Sequence, residues 1–215
     1  MKNNRGLFYC LMVGIVGCFS GCGRLVDLAK ETVPQSAAYK QDKKIVKHYL
    51  KSIRLYDEFQ MIAMFDALWL SDDIRTMHAQ HYSLMRGATH DTTEAIRRQL
   101  QANEKTITFY VLSLRAHPLH ISNPSWIVYL DVDGHCYQPQ EIKFVELLPY
   151  YISLLEKSYS IHKQACEVKF SRIDEEGNDI LKSKCMSLHF SNQKYYGQVS
   201  WDLAQKIVDK KDAHG

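Results

Sequence analysis

The sequence lacks the short motifs that assign a chain to the common classes of enzyme and nucleotide-binding protein. It contains no Gly-x-Ser-x-Gly nucleophile motif and no glycine-rich phosphate loop. The spacings most typical of zinc sites, Cys-x-x-Cys and His-Glu-x-x-His, are also missing. These absences favour a non-enzymatic protein that holds no cofactor.

An excess of charge of one sign is also lacking. The chain has 27 Lys and Arg side chains against 24 Asp and Glu side chains. A nucleic-acid partner usually requires a concentrated basic face, so none is predicted. The 215 residues, 11% of them aromatic, are enough for one ordinary domain with a packed core.

The longest apolar run is too short to cross a membrane. Residues 6–19 carry no charge and follow the basic residues Lys2 and Arg5. A spanning helix needs roughly 20 apolar residues, whereas a basic start followed by a shorter run is typical of an export signal. The sequence predicts a signal peptide over residues 1–21. The alternative is an uncleaved membrane anchor.

The end of this run resembles the lipobox of bacterial lipoproteins, in which small residues precede a cysteine. Here Phe-Ser-Gly precedes Cys22, while Ile-Val-Gly precedes the alternative, Cys18. Cys22 is preferred because it lies at the edge of the apolar run, close to Arg24. The resemblance implies a diacylated cysteine thiol, cleavage just before it, and membrane attachment through an N-terminal lipid. Gly23, which is not Asp, implies the outer membrane of a bacterial cell envelope.

Three segments follow the signal. Residues 22–39 show no sustained periodicity and are predicted to form a tether. Residues 40–53 place apolar side chains at helical spacing, which predicts a short amphipathic helix. In the stretch LYDEFQMIAMFDALWL, seven of the eight alternate positions from 55 to 69 are apolar, which predicts one long strand.

Two helices are predicted next. Ser71 with the acidic pair Asp72 and Asp73 is typical of a helix start, and Gly87 of its end. Asp91 and Glu94 have the spacing of a capping box, which predicts a second helix.

The chain then becomes rich in β-branched and aromatic residues, in six short segments: TITFYVLSL, SWIVYLDV, EIKFVEL, CEVKFSRI, CMSLHF and YGQVSW. Asp133-Gly134 predicts a hairpin turn between the second and third segments, and residues 175–179 predict a turn between the fourth and fifth. The spacing predicts a mainly β fold with some α structure. We expect an immunoglobulin-like antiparallel β-sandwich of about seven strands, with a helical pair inserted after the first strand. The domain would cover residues 40–205 and end in a flexible tail over residues 206–215.

The order of these elements resembles a group of uncharacterised bacterial envelope lipoproteins with a β-sandwich domain. The resemblance rests on Trp-x-Val-x-Leu at 126–130, the Asp-Gly turn, Pro-x-x-Ile at 139–142, Pro-Tyr at 149–150 and Val-x-Phe at 168–170. It covers most of residues 55–201. Because these motifs are structural, it implies a fold and brings no catalytic residues.

Three cysteines lie inside the predicted domain, and an exported protein occupies a compartment that permits disulfides. Cys166 and Cys185 fall in two predicted strands joined by a turn, so they are the preferred pair. Cys136 would then be free. The alternative is that these cysteines are buried and reduced.

Histidines provide the weakest candidates for chemistry. His78 and His81 lie three residues apart on a predicted helix and so share a face, but a third metal ligand is missing. No metal site is predicted. His117 and His120 lie in a predicted loop, where they would contribute to the alternative function, that of an envelope hydrolase or small-ligand-binding lipoprotein.

The tyrosine pairs Tyr150-Tyr151 and Tyr195-Tyr196 are the candidates for a partner surface. If one ring of a pair faces the core, its neighbour faces outward, and tyrosine is favoured at protein interfaces. The leading hypothesis is therefore a lipid-anchored, non-enzymatic envelope protein that binds another envelope protein.

Overall fold

A computed structural model describes residues 37–85, 92–116, 119 and 125–204. The predicted signal peptide, the lipidation candidates Cys18 and Cys22, most of the tether and the predicted tail lie outside the described residues. The chain divides into two compact units, Met1–Gln41 and Asp42–Gly215. The first is described only over residues 37–41, which are helical, and the second contains both β-sheets. Among the described helices, none has the length and apolar character needed to cross a bilayer.

Four α-helices and nine strands occur within these described ranges. The helices are α1 (Ala37–Tyr49), α2 (Asp72–Met85), α3 (Thr92–Lys105) and α4 (Pro149–Leu155). The strands are β1 (Leu50–Asp57), β2 (Gln60–Trp69), β3 (Thr106–Leu114), β4 (Ile127–Val132), β5 (His135–Tyr137), β6 (Glu141–Val145), β7 (Lys163–Ser171), β8 (Cys185–Ser191) and β9 (Tyr196–Asp202). Short 3₁₀ helices cover Glu156–Ser158 and Ile180–Lys182.

The strands form two antiparallel sheets. One has the order β1-β2-β3-β7-β6 and the other β5-β4-β8-β9. Their inner faces share one apolar core, in which Phe65 stacks on Phe190 with ring centroids 4.2 Å apart and Phe109 meets Trp201 at 5.1 Å. The prediction of a mainly β, antiparallel, sandwich-like fold is confirmed.

The predicted long strand is wrong, because residues 55–69 form most of a hairpin. Leu55 belongs to β1, Glu58 and Phe59 form the turn, and β2 begins at Gln60. The polar residues at 57, 58 and 60 interrupt the apolar run and supply the turn. The predicted helix over 40–53 likewise ends at Tyr49, and the helical pair follows the second strand.

The close approach of β1 to β9 seals one side of the sandwich. A side chain at Gly197 would place its Cβ 2.5 Å from Ile53 Cδ1 and 2.8 Å from Leu55 Cδ2. Any larger residue at this position would therefore require the Ile53 and Leu55 side chains to move. The burial of β1 residues alternates along the chain, as expected for a strand whose one side packs on β9. A helix over residues 50–53 would not give this alternation.

The predicted start of α2 is confirmed. The Ser71 hydroxyl accepts a hydrogen bond from the Ile74 amide at 3.4 Å, and Asp72 and Asp73 occupy the first turn. Gly87 and Asp91, predicted to end one helix and start the next, lie outside the described residues. Glu94 binds Arg97 and Arg98 of its own helix at 2.8 and 3.0 Å.

The Asp133-Gly134 hairpin is confirmed, although its returning strand differs from the prediction. Both turn residues have positive φ, 51° and 86°, as a two-residue hairpin turn requires. The chain returns through the short strand β5, and the predicted partner EIKFVEL instead supplies β6 of the other sheet.

The turn predicted at residues 175–179 is present, where the amides of Glu176 and Asn178 donate to Asp174 Oδ1, but the strands on either side of it do not pair with each other. β7 pairs with β3 on one side and with β6 on the other, so it has no free edge for β8. The segment between them, including residues 175–179, crosses from one sheet to the other. Cys166 and Cys185 are therefore separated by a change of sheet.

The helices pack on the outer face of the five-stranded sheet. Val46 of α1, Ile74 of α2 and Leu154 of α4 are buried. The ring of Tyr151 in α4 meets Tyr110 of β3 at 5.0 Å, edge to face. We call this outer face the covered face.

Candidate functional site

The outer face of the four-stranded sheet forms the second surface, called the open face. Strand residues alternate between the two sides of a sheet, so every second residue points outward. The register places these residues in three rows across β4, β8 and β9: Ile127, Ser191 and Tyr196; Tyr129, His189 and Gln198; Asp131, Ser187 and Ser200.

Aromatic rings form the centre of the open face. Tyr129 and His189 stack with centroids 4.6 Å apart and planes 9° from parallel, and Tyr196 lies 5.5 Å from His189 on a neighbouring strand. The Tyr196 ring is 54% exposed. Cross-strand pairing produces this contact, because Tyr129 and His189 are directly opposite each other.

The two ring nitrogens of His189 have different surroundings. Nδ1 shares a hydrogen bond with the Tyr196 hydroxyl, which also donates to Gln198 Oε1 at 2.7 Å. Nε2 is buried without a hydrogen-bond partner. Burial lowers the pKa of His189, and the Asp131 carboxylate opposes this shift. The His189 ring, which lies between two tyrosines, is therefore neutral at neutral pH.

A cleft adjoins the aromatic centre at the end of β4. It encloses about 460 Å³ and is lined by Ser125, Ile127, Asn192, Gln193 and Lys194. Ile127 is half exposed beside it. The open face thus has an apolar, aromatic centre, a polar border and a side cleft, the arrangement typical of protein–protein interfaces.

The structure separates the roles of the second tyrosine pair. Tyr196 lies on the open face, as predicted for an outward-facing ring. Tyr195 is half buried, and its hydroxyl donates to the Asp57 carboxylate, which Lys194 Nζ also binds at 2.8 Å. These two donors hold the pKa of Asp57 below its usual range. Tyr195 therefore braces the β1–β2 hairpin.

The covered face brings together two sets of candidates that are far apart in sequence. His78 lies 5.2 Å from Tyr150 and 4.8 Å from Tyr151, and His81 lies 4.7 Å from Tyr150, all between ring centroids. Tyr151 is buried, so its predicted place on a partner surface is wrong, because its ring packs on β3. Tyr150 is half buried.

Burial also governs the histidines of this cluster. Burial, followed by the positive neighbours His81 and Arg75, lowers the pKa of His78, and a hydrogen bond that its ring donates to Gln99 opposes the shift. His78 Nδ1 and the Tyr150 hydroxyl are buried without hydrogen-bond partners. Across the described residues, no group of three or more His, Cys, Asp or Glu side chains could hold a metal ion.

The three domain cysteines are free thiols. Cys166 is buried in β7, where its thiol lies 3.8 Å from the Leu119 carbonyl oxygen. Burial raises its pKa to about 11. Cys136 and Cys185 are exposed on the other sheet, so the predicted pair Cys166–Cys185 is not joined in this structure. His117 and His120 lie outside the described residues.

Sequence reasoning missed a buried ion pair. Lys163 Nζ lies 2.5 Å from Asp66 Oδ2, and both side chains are almost fully buried beneath the helices. Ser52 donates to the other Asp66 oxygen, and the Ser158 carbonyl accepts from Lys163 at 2.6 Å. The sequence signal for this ion pair is Asp66, because its charged side chain interrupts the apolar stretch of β2.

No protein-family model matches the chain, and no curated protein matches its sequence.

Proposed function

We propose that the protein is a lipid-anchored component of a bacterial cell envelope, attached to the outer membrane through Cys22. Its immunoglobulin-like sandwich acts as a non-enzymatic module that binds another envelope protein. The anchor is supported by the lipobox resemblance and by the basic and apolar segments before it. Two or more acyl chains provide stable attachment, whereas one does not.

The open face is the partner surface in this proposal. The observation that supports it is the aromatic centre formed by Tyr129, His189 and Tyr196 within a polar border. Tyrosine contributes strongly to binding when a partner excludes water from it. Neutral rings also cost less to desolvate than charged groups do.

Photo-cross-linking in cells tests this assignment. Tyr196 is replaced by p-benzoylphenylalanine in the full chain, and Tyr82 serves as the matched control because it is 45% exposed on α2. We expect one abundant protein adduct from position 196 and none of that mass from position 82. Adding Ile127→Asp, which places a charge at the same surface, should remove the adduct.

Equal adducts from both positions, or an adduct insensitive to Ile127→Asp, would count against the open face. The anchor is tested separately by the intact mass of membrane-extracted protein. A chain that begins at Cys22 with acyl chains is expected, and Cys22→Ser should abolish acylation. If Cys18→Ser abolishes it instead, the alternative cleavage frame is correct.

A further inference from the structure

The hairpin of β1 and β2 extends past the rest of its sheet. β2 pairs with β3 only from Phe65 to Trp69, whereas the pairing of β1 with β2 continues outward to Asp57 and Gln60. The outer part is therefore a two-stranded ribbon that projects beyond β3.

Apolar side chains are concentrated at the end of this ribbon. Phe59 is 100% exposed in the turn, Tyr56 is 55% exposed, and Met61 is exposed directly opposite Tyr56. We call these three residues the hairpin tip. A turn of this kind normally carries Gly, Asn or Asp, which are polar or lack a side chain.

The backbone of the turn adopts a conformation that L-residues with large side chains rarely adopt. Glu58 has a φ of 52°, in the left-handed region that favours glycine. The turn therefore combines an unfavourable backbone conformation at Glu58 with a fully exposed apolar side chain, Phe59. Such departures from turn chemistry occur at functional surfaces.

The base of the hairpin tip is rigidly held. The Asp57 carboxylate accepts hydrogen bonds from Lys194 and Tyr195, and β9 packs closely on β1 at Gly197. A rigid tip loses little conformational entropy when it binds. Lys194 also offsets the charge of Asp57, so the Glu58 carboxylate is the remaining charge at the turn, and a zwitterionic surface repels it less than an anionic one would.

We infer that the hairpin tip is a second membrane contact, which inserts into the interfacial region of a zwitterionic bilayer. This inference rests on the proposed lipid anchor, which keeps the tip close to the membrane. A fluid lipid surface adapts to a projecting, convex tip, whereas a protein partner would need a matching cavity. Tyr suits this depth because its ring can lie in lipid with its hydroxyl at the headgroups, and Phe adds a wholly apolar ring.

The tip is too small to attach the protein by itself. Even a single myristoyl chain gives only marginal membrane binding. The role of the hairpin tip is to orient a domain that the lipid already anchors. The two sheets pack face to face through their shared core. A tip that points into the bilayer along the strands therefore leaves the open face turned sideways and accessible to a partner.

Depth-dependent quenching tests the inference with the full chain in phosphatidylcholine vesicles. Phe59→Trp is compared with Ile173→Trp, a matched control because Ile173 is 40% exposed and follows β7 at the opposite end of the sheet from the tip. Trp69, Trp126 and Trp201 give both variants the same background. With dibrominated phosphatidylcholine, we expect quenching of the new tryptophan to be about twofold or more stronger at position 59. Both side chains are exposed, so neither variant should unfold, and circular dichroism checks this.

The outcomes separate the two proposals. If both variants float with vesicles but quench equally, the anchor stands and the membrane contact of the tip is wrong. If neither floats, the anchor proposal fails. A photo-cross-linker at position 59 that captures protein in place of lipid would also overturn the inference.

Discussion

The covered face and the open face start from the same antiparallel strand pattern and end with different chemistry. The covered face encloses a buried ion pair, Asp66–Lys163, and the open face presents a neutral stack of aromatic rings. The connections explain the difference. Each of the four described α-helices precedes or joins strands of the five-stranded sheet, whereas β4–β5 and β8–β9 are joined by short turns. Helices cover the sheet whose strands they connect, and the other sheet stays accessible.

Removing one partner of the buried ion pair should have the largest effect. Lys163→Ala leaves the Asp66 carboxylate buried and unpaired, which should lower the free energy of unfolding by about 3–5 kcal/mol. Equilibrium urea unfolding measures this loss. Asp131→Asn on the open face is the control and should change stability by less than about 1 kcal/mol. A small effect of Lys163→Ala would mean that water reaches the pair.

The tyrosines should show the next largest difference between the faces. Tyr151→Ala removes a buried ring from the covered face and should cost about 3 kcal/mol. Tyr196→Ala removes an exposed ring and should cost less than about 1 kcal/mol while reducing partner capture. Thermal unfolding and the cross-linking yield give the two measurements. Equal losses of stability would show that the open face is covered in the folded protein.

The two buried histidines should differ in their response to acid. Both have folded-state pKa values below 6.5, so the unfolded chain binds more protons, and stability falls as pH drops through about 6.5. His78 has positive neighbours that add to this effect, whereas Asp131 opposes it at His189. His78→Gln should therefore flatten the loss of stability between about pH 7 and 5 more than His189→Gln does, by about 1 kcal/mol or less. Urea midpoints across this pH range test the order, and the reverse order would contradict it.

Thiol reactivity gives the smallest and most local comparison. Cys136 and Cys185 are exposed and should react with a maleimide in the native protein. Cys166 is buried with a raised pKa, so it should react only after unfolding. Peptide mapping after labelling identifies each site. Protection of Cys166 and Cys185 as a disulfide would restore the pairing predicted from sequence.

Local signals predicted local structure well. Ser71 starts α2 and Asp133-Gly134 forms a hairpin, because each depends on the conformation of a few neighbouring residues. Long-range pairing could not be predicted in the same way. Nothing in the sequence around Cys166 shows that β7 has a strand on each side, which is why the strand holding Cys185 was placed beside it.

The candidate site was predicted only in part, for a related reason. The pair Tyr195-Tyr196 was predicted to present one outward-facing ring, without deciding which, whereas His189 was not identified, because its role depends on the partner strand that carries Tyr129. Phe59 was missed because the period-two pattern placed it on an apolar strand face. The polar residues on both sides of Phe59 were the signal for a turn.

The Trp201 side chain has a consequence for when the domain can fold. Its Nε1 donates to the Tyr49 carbonyl at 2.9 Å, joining the end of the first helix to the last strand. The ion pairs of Asp57 with Lys194 and of Asp66 with Lys163 likewise join residues that are far apart in the sequence. Contacts of such high sequence separation form late, and they cannot form until nearly the whole chain has emerged from the ribosome. The complete sandwich therefore closes only near the end of synthesis, whichever local hairpins form earlier.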